Sequence, residues 1–172
     1  MPHSDLPDIS AKASKEVASR TIYTADGLWF LAVEEEYGYD AAFELNQRVW
    51  KRGGFIHGRR LLKNLNLKGK APLEALAAMV LADPIMTVRR TQITTLTHTR
   101  MVFRTLACPP AEARFRDGRG VFNGKPGCML LFAAYAELID HRIQATCVCC
   151  SPNPENPEYW CEWEFTLAPE KK

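Results

Sequence analysis

Six cysteines give this 172-residue chain its clearest means of doing chemistry. Cys108 follows a predicted strand, Cys128 lies in the first turn of a predicted helix, and Cys161 begins the last predicted strand. The other three come together at the end of another predicted strand: Cys147, Cys149 and Cys150. In a reducing compartment such residues act as nucleophiles, as metal ligands or as small buried side chains rather than as disulfides. The sequence leaves these three roles open.

Cys128 has a physical reason to be reactive, because it follows a predicted helix start. The first turn of a helix has unpaired N–H groups and the positive end of the helix dipole, and both favour a thiolate over a thiol. The thiolate is the nucleophilic form of cysteine. If the chain is a covalent catalyst, we therefore expect Cys128 to be its nucleophile.

A metal site is the main alternative use of the cysteines. Cys147-x-x-Cys150 has the spacing of a metal-binding knuckle or of a redox pair. Cys108 and Cys161 would complete a four-thiolate tetrahedron around zinc or iron if the strand ends converge. Regular alternation along the strand would point Cys147 and Cys149 to one face and Cys150 to the other, so the site requires a bend there.

Histidines and carboxylates give weaker indications of chemistry. Three histidines stand at no recognisable spacing from a cysteine, and we interpret them as surface residues: His57, His98 and His141. The acidic run at residues 34–36 lies on a predicted helix, where at most one of its side chains faces the core. We interpret this run as a solvated helix face.

Composition places the chain among ordinary globular proteins and excludes disorder as its main state. Apolar residues make up 47% and charged residues 24% of the chain, which suits one domain with its own core. The net charge of +2 argues against nucleic acid as a partner. A local basic stretch is interpreted as a solvated helix face: Lys51, Arg52, Arg59, Arg60, Lys63, Lys68 and Lys70.

The chain has neither an apolar run of about 18 residues, which a membrane-spanning helix needs, nor the apolar region of a secretory signal. We therefore expect a cytoplasmic protein with a small-molecule ligand and no membrane association. Residues 1–20 are polar and are predicted to form a flexible tail, followed by a single α+β domain over residues 21–172. The sequence does not decide whether the protein forms a homodimer.

The N-terminal half has the residue spacing of helices. Asp26 is predicted to cap a first helix that closes at Gly38. A second helix is predicted from about Asp40 until the Gly53-Gly54 pair ends it. These two helices are expected to form a helical hairpin.

Two further apolar patterns predict helices over residues 55–67 and 72–81. From Ile85 the apolar period changes to two, which predicts a β-hairpin whose second strand covers residues 101–107. The first half of the chain is thus expected to be helical, and the sheet to begin at about residue 85.

The C-terminal part adds two helices and a second hairpin. Helices are predicted over residues 110–114 and 127–139, the second apolar nearly all round and therefore expected to lie against the sheet. Alternating residues predict strands over 143–149 and 160–167, joined by a proline-rich loop at 151–157. This order predicts an α+β fold, with N-terminal helices followed by an antiparallel sheet of about four strands.

Three C-terminal segments carry a resemblance to a known family: FRTLACPPAEA at 103–113, PGC at 126–128 and CEWEF at 161–165. They resemble the L-2-amino-thiazoline-4-carboxylic acid hydrolase family, which has a Cys-Pro-x-Ala-acidic segment, a Cys near the next helix and a closing Cys-containing strand. This resemblance implies hydrolytic opening of a small cyclic amidine. It marks as catalytic residues Cys108, Cys128 and Cys161.

A closer resemblance covers most of the chain and rests on five segments: AVEEEYG at 32–38, RVW at 48–50, IDHRI at 139–143, CVCCSP at 147–152 and WCEWEFTL at 160–167. These segments resemble a group of short cysteine-containing bacterial and archaeal proteins, common in anaerobes and related to the hydrolases. The resemblance implies an α+β domain distantly similar to 4-vinyl reductase domains. It brings no established activity.

The chain differs from both patterns. The closer group tends to have a cysteine where Gly124 stands and lacks one at the position of Cys128. Leu131 stands where the hydrolases have an acidic residue. An acid beside the thiols would donate a proton during ring opening. The sequence therefore leaves two functions open, a cysteine-dependent hydrolase and a non-catalytic module that binds a metal or ligand through the same cysteines.

Overall fold

The first helix begins well before the predicted position. In the computed structural model, which describes residues 9–150 and 158–170, α1 spans Ala11–Tyr37. The hydroxyl of Ser10 accepts a hydrogen bond from the backbone N–H of Ala13 at 3.2 Å and caps this helix. The predicted cap at Asp26 is therefore wrong, and residues 11–20 of the predicted tail are helical. Gly38, with φ of 85°, ends α1 as predicted.

The second helix continues through the two glycines that were predicted to end it. α2 spans Tyr39–Asn64, so the two helices predicted over this region are one. Gly54 packs against α6 (Lys125–Ile139), where a Cβ atom would lie 3.2 Å from the Cβ of Ala134. Gly54 permits the close approach of α2 and α6, and the prediction that it ends a helix is wrong.

A short helix replaces the start of the predicted first strand. α3 spans Pro72–Ala82 as predicted, but α4 then covers Pro84–Thr87. The carboxylate of Asp83 caps α4 by accepting a hydrogen bond from the backbone N–H of Ile85 at 2.7 Å. Strand formation therefore begins at residue 91 instead of residue 85.

Asp83 also joins three helices in the interior. This fully buried carboxylate accepts hydrogen bonds from the hydroxyl of Tyr135 at 2.7 Å and from Nε2 of His57 at 2.8 Å. A buried carboxylate is tolerated only where such partners satisfy it. His57, interpreted from the sequence as a surface residue, thus belongs to a structural network.

The four strands form one antiparallel sheet, and this confirms the predicted fold class. Their order across the sheet is β1-β2-β4-β3. The strand bounds are β1 Thr91–Leu96, β2 Arg100–Thr105, β3 Ile143–Cys149 and β4 Cys161–Leu167. α5 (Pro109–Arg116) and α6 connect the two hairpins. The central pair, β2 and β4, carries the most deeply buried strand residues.

α6 packs against the sheet, as its apolar composition predicts. The ring of Phe132 on α6 contacts Trp163 on β4 edge to face, with 4.8 Å between ring centroids, and Phe103 on β2 at 5.2 Å. All three side chains are fully buried. Such aromatic pairs add to the free energy gained by burying apolar surface. This contact places the middle of α6 over the two central strands of the sheet.

A β-bulge in β3 decides which cysteines face the core. Cys147 pairs with Trp163, whereas two residues later Cys149 pairs with Glu162, so one extra residue is inserted between them. Trp163 is buried under the helices, and Glu162 forms an ion pair with Arg104 on the opposite face. Cys147 therefore lies on the helix-covered face and Cys149 on the outer face.

Candidate functional site

A small cavity of about 50 Å³ lies between α1, α2, α6 and the ends of β3 and β4. We call it the thiol pocket and define it by seven of its lining residues: Tyr23, Asp26, Arg89, Cys108, Cys128, Cys150 and Cys161. The structure thus brings together the three cysteines that the resemblance to the hydrolase family marks, Cys108, Cys128 and Cys161. The polar residues Tyr23, Asp26 and Arg89 were not selected from the sequence as site residues.

Arg89 is the central charged group of the thiol pocket. Its Nη1 donates a hydrogen bond to the sulfur of Cys128 at 3.1 Å, and its Nε donates to the hydroxyl of Tyr23 at 2.5 Å. The residue is only 8% exposed. Burial lowers the pKa of Arg89, but Cys128, Tyr23 and Cys108 raise it more, and the net shift is upward. The guanidinium therefore stays protonated in the interior and stabilises negative charge on an atom that it contacts.

Cys128 lies in the first turn of α6, as predicted, but the contact to its sulfur comes from Arg89. α6 begins at Lys125, and the backbone N–H of Cys128 donates to the carbonyl of Gly124 at 3.1 Å. That N–H is therefore used within the helix. The helix start positions the thiol, and the guanidinium provides the directed positive charge.

Cys108 differs from Cys128 in its electrostatic surroundings. Burial raises the pKa of Cys108 from its ordinary value of 9.0 to about 12, with Arg89 acting in the opposite direction. This thiol is therefore protonated at neutral pH. It precedes α5, where the backbone N–H of Cys108 donates to the carboxylate of Glu112 at 3.0 Å. Cys108 can donate a hydrogen bond in the pocket but is a poor nucleophile.

Tyr23 and Asp26 lie one turn apart on α1 and face the same pocket. The hydroxyl of Tyr23 donates to the carbonyl of Ile85 at 3.1 Å, and burial raises the pKa of Tyr23 to about 12. Burial also raises the pKa of Asp26, opposed by hydrogen bonds from Asn46, at 3.1 Å, and Trp50. Asp26 thus holds its proton to a higher pH than an ordinary carboxyl group, which suits a proton donor.

The remaining cysteines adjoin the pocket at the end of the sheet. The sulfur atoms of Cys150 and Cys161 lie 2.9 Å apart, and the thiol of Cys150 is also hydrogen-bonded to Cys147. The β3 bulge supplies the bend that a metal site was expected to require. Among residues 9–150 and 158–170, however, no three side chains of His, Cys, Asp or Glu are grouped as metal ligands. The site of zinc or iron at Cys108, Cys147, Cys150 and Cys161 stays a prediction.

A larger cleft of about 490 Å³ adjoins the thiol pocket. The two share four lining residues: Tyr23, Asp26, Pro110 and Phe122. On the far side of this outer cleft, Arg114 forms two hydrogen bonds with Glu34, at 2.6 and 3.0 Å. Glu34 is therefore the member of the acidic run that α5 uses to attach to α1. The outer cleft provides room for a ligand whose reacting end enters the pocket.

The three missed residues gave little signal in the sequence. Asp26 had the pattern of a helix cap, and Arg89 lay in a Thr-rich segment that was predicted to be a strand. Tyr23 and Asp26 are three residues apart, and this helical spacing of two polar side chains is a sign of a shared site. This spacing can be recognised as helical only once α1 is known to include both Tyr23 and Asp26.

The fold and the pocket define an α+β protein with a thiol-lined cavity beside a buried arginine. The chain matches the model of the family of unknown function (DUF6125) over residues 11–167 and belongs to that family. No curated protein and no solved structure matches the chain. None of the helices in the described part of the chain is both long and apolar enough to cross a membrane.

Proposed function

We propose that this protein is a cysteine-dependent hydrolase that opens a small cyclic amidine of the thiazoline type, with Cys128 as the nucleophile. The observation that carries the proposal is the 3.1 Å hydrogen bond from the buried guanidinium of Arg89 to the sulfur of Cys128. A guanidinium in a low-dielectric pocket stabilises the thiolate, which is the attacking form. The substrate class rests on the resemblance to the L-2-amino-thiazoline-4-carboxylic acid hydrolase family.

In the first step, the Cys128 thiolate attacks the amidine carbon of the ring. A bond forms between the Cys128 sulfur and this carbon, and the bond from the carbon to the ring sulfur breaks. The leaving ring sulfur takes a proton from Asp26, whose raised pKa suits it as a general acid. The product of this step is an isothiourea that joins the opened substrate to Cys128.

In the second step, water attacks the same carbon. Asp26, now a carboxylate, takes one proton from the water, and the other proton passes to the amidine nitrogen. The bond between the carbon and the Cys128 sulfur breaks, which restores the thiolate beside Arg89. The sum of the two steps is the addition of one water to the ring, with Asp26 and Cys128 returned to their starting states.

The sizes of the two cavities suggest that the substrate lies partly in the thiol pocket and partly in the outer cleft. A cavity of about 50 Å³ holds only a few non-hydrogen atoms, because one water accounts for about 30 Å³ of liquid. The reacting part of the ring would therefore contact Cys128, while substituents lie in the outer cleft. Cys108, a protonated thiol, donates a hydrogen bond to a ring heteroatom, and Cys161 lines the pocket.

The test is hydrolysis of 2-amino-thiazoline-4-carboxylate, followed by mass spectrometry of the ring-opened product, which is one water heavier. We expect turnover by the full chain and a loss on the order of a thousandfold or more in Cys128→Ser. Cys149→Ser is the matched control, because Cys149 lies on the outer face of the sheet. Equal activity of the Cys128→Ser and unsubstituted proteins would exclude the mechanism. Binding of this compound without turnover would support the non-catalytic ligand-binding module instead.

A further inference from the structure

Cys150, which directly follows β3, and Cys161, the first residue of β4, lie side by side at one end of these neighbouring strands. The last pair in the β3–β4 register is Cys149 with Glu162, and one step further along this register pairs Cys150 with Cys161. Their sulfur atoms are 2.9 Å apart. The β3 bulge is responsible for this placement, because without the extra residue Cys150 would point to the outer face.

This arrangement suits the formation of a sulfur–sulfur bond better than the binding of a metal. Directly opposed residues on antiparallel strands have Cβ atoms about 4.5–5.5 Å apart, close to the 3.5–4.5 Å that a disulfide needs. Two thiolates bound to one tetrahedral zinc ion would be about 3.8 Å apart, given zinc–sulfur bonds of about 2.3 Å. The observed separation is shorter than this value.

We propose that Cys150 and Cys161 form a redox-active dithiol, which a small-molecule disulfide oxidises to an intramolecular disulfide, with Cys147 as the first thiol to react. Cys147 lies on the same face of the sheet and is hydrogen-bonded to Cys150. It is half-buried, whereas Cys161 is only 1% exposed, so a reagent from solution reaches Cys147 first. Both cysteines line the thiol pocket, but this proposal does not require the hydrolase activity.

The three thiols also differ in their tendency to ionise. The hydrogen bond from Cys150 lowers the pKa of Cys147, burial opposes this effect, and the nearby Lys125 adds to the lowering. The pKa of Cys150 is raised, first by its hydrogen bond with Cys147, then by its hydrogen bond with Cys161 and by burial. Attack on a disulfide requires a thiolate, and this difference therefore agrees with Cys147 as the first nucleophile.

The exchange consists of three sulfur transfers. The Cys147 thiolate attacks the disulfide RS–SR, forms a mixed disulfide with one RS group and expels the other as a thiolate. Cys150 loses its proton to the expelled thiolate and attacks the Cys147 sulfur, which releases the second RS group. Cys161 then attacks the Cys150 sulfur, and its proton goes to that RS group, so that Cys147 leaves as a thiolate. Two protein thiols are oxidised and one RS–SR is reduced to two RSH.

The test uses the full chain and glutathione disulfide as the oxidant. Samples are quenched with N-ethylmaleimide at increasing times and cleaved with chymotrypsin after Tyr159 or Trp160, which separates Cys161 from the other three clustered cysteines. We expect a disulfide that joins the two resulting peptides, with Cys150 and Cys161 both protected from maleimide. Full maleimide labelling of both residues after prolonged exposure would overturn the proposal.

Serine variants assign the roles of the individual thiols. We expect Cys150→Ser and Cys161→Ser each to abolish the disulfide between the two peptides, and Cys147→Ser to slow its formation on the order of tenfold without preventing it. Cys149→Ser is the matched control on the outer face and should form the disulfide at the original rate. If Cys149→Ser removes the disulfide, or if Cys150→Ser retains it, a different pair is involved and the proposal is wrong.

Discussion

Arg89 and Cys128 meet in the interior of the protein although 39 residues separate them in the chain. Arg89 follows the short helix α4, whereas Cys128 belongs to the first turn of α6. Their contact therefore depends on the packing of α6 over the sheet and on the turn between α4 and β1. Burial of a guanidinium costs free energy unless a polar or anionic partner satisfies it, and the Cys128 sulfur is such a partner.

The first prediction concerns the charge beside Cys128. We expect Arg89→Gln to slow the alkylation of Cys128 by iodoacetamide at pH 7 by about ten- to a hundredfold, because a hydrogen bond from a charged group contributes about 1.5–3 kcal/mol. Alkylation at Cys128 is followed by quantitative mass spectrometry of its peptide.

Arg104→Gln is the matched control for this loss of charge, because Arg104 pairs with Glu162 on the opposite face of the sheet. It should leave the labelling rate of Cys128 within about twofold of the original, as surface ion pairs contribute little. Circular dichroism confirms that both variants are folded. If Arg89→Gln labels as fast as Arg104→Gln, the guanidinium does not activate the thiol.

The second prediction concerns how burial of the Asp26 carboxyl group lowers the free energy of unfolding. Burial raises the pKa of this carboxyl, so the folded state holds its proton at pH values where the unfolded state has lost it. The free energy of unfolding therefore falls as pH rises from the unfolded to the folded pKa of Asp26. We expect Asp26→Asn to be more stable than the unsubstituted protein at pH 7, because the amide keeps an oxygen that accepts from Asn46.

Urea unfolding at several pH values tests this effect. The gain in Asp26→Asn should shrink as pH falls below the ordinary carboxyl pKa of 3.8, where both states are protonated. Glu36→Gln on the exposed face of α1 is the control and should change stability little at any pH. A gain of equal size at pH 3 and pH 7 would show that ionisation of Asp26 is not its cause.

The third prediction concerns alkaline pH. Burial raises the pKa of Cys108 from 9.0 to about 12, so between these values the unfolded thiol ionises while the folded thiol does not. The folded state then holds more protons, and the free energy of unfolding falls as pH rises through this window. We expect Cys108→Ala to reduce this slope by about 1 kcal/mol per pH unit between pH 9 and pH 10.5, where one proton is at stake.

The comparison uses the change of the free energy of unfolding with pH instead of its absolute value. Cys108→Ala also leaves a small cavity, which lowers the absolute value. Urea unfolding is measured in the presence of a phosphine reductant that keeps the thiols reduced. Cys147→Ala is the control, because the pKa of Cys147 is lowered and its contribution to the slope lies below pH 9. An identical slope above pH 9 in Cys108→Ala and the unsubstituted protein would contradict the assigned burial effect.

Local patterns in the sequence were sufficient to predict most of the elements. The period-two segments give β2, β3 and β4 within a few residues, and the proline before an apolar run gives α3. The proline-rich loop predicted at residues 151–157 lies outside the described residues. Errors arose where a residue serves a distant contact, as when Gly54 continues α2 because it lies close to Ala134 of α6.

The candidate site could be predicted only in part, for the same reason. The resemblance to the hydrolase family singled out Cys108, Cys128 and Cys161, and the structure places all three around one pocket. The burial of Arg89 has no local signature, because it depends on α1 and α6 packing around one side chain. Likewise, the bulge that turns Cys150 toward Cys161 adds one residue to a strand whose composition does not reveal it.

The last prediction concerns the consecutive glycines in the middle of α2. A Cβ atom added to Gly53 would have its nearest neighbour at 3.9 Å, whereas one added to Gly54 would lie 3.3 Å from the backbone Cα of Leu131 and 3.2 Å from the Cβ of Ala134. Alanine favours a helix over glycine by about 1 kcal/mol, so Gly53→Ala should raise the free energy of unfolding by up to that amount.

Gly54→Ala gains the same helix propensity but forces α2 and α6 apart, because the atoms that it meets belong to rigid parts of α6. Overpacking of this kind costs about 1–3 kcal/mol, and we expect a net loss of stability of about 1 kcal/mol. The two variants differ by one position in the same helix, and each is therefore the control for the other in urea unfolding. Since α6 carries Cys128, Gly54→Ala should also change the alkylation rate of this thiol, whereas Gly53→Ala should not. Equal stabilisation by both substitutions would mean that α2 and α6 are not in close contact at Gly54.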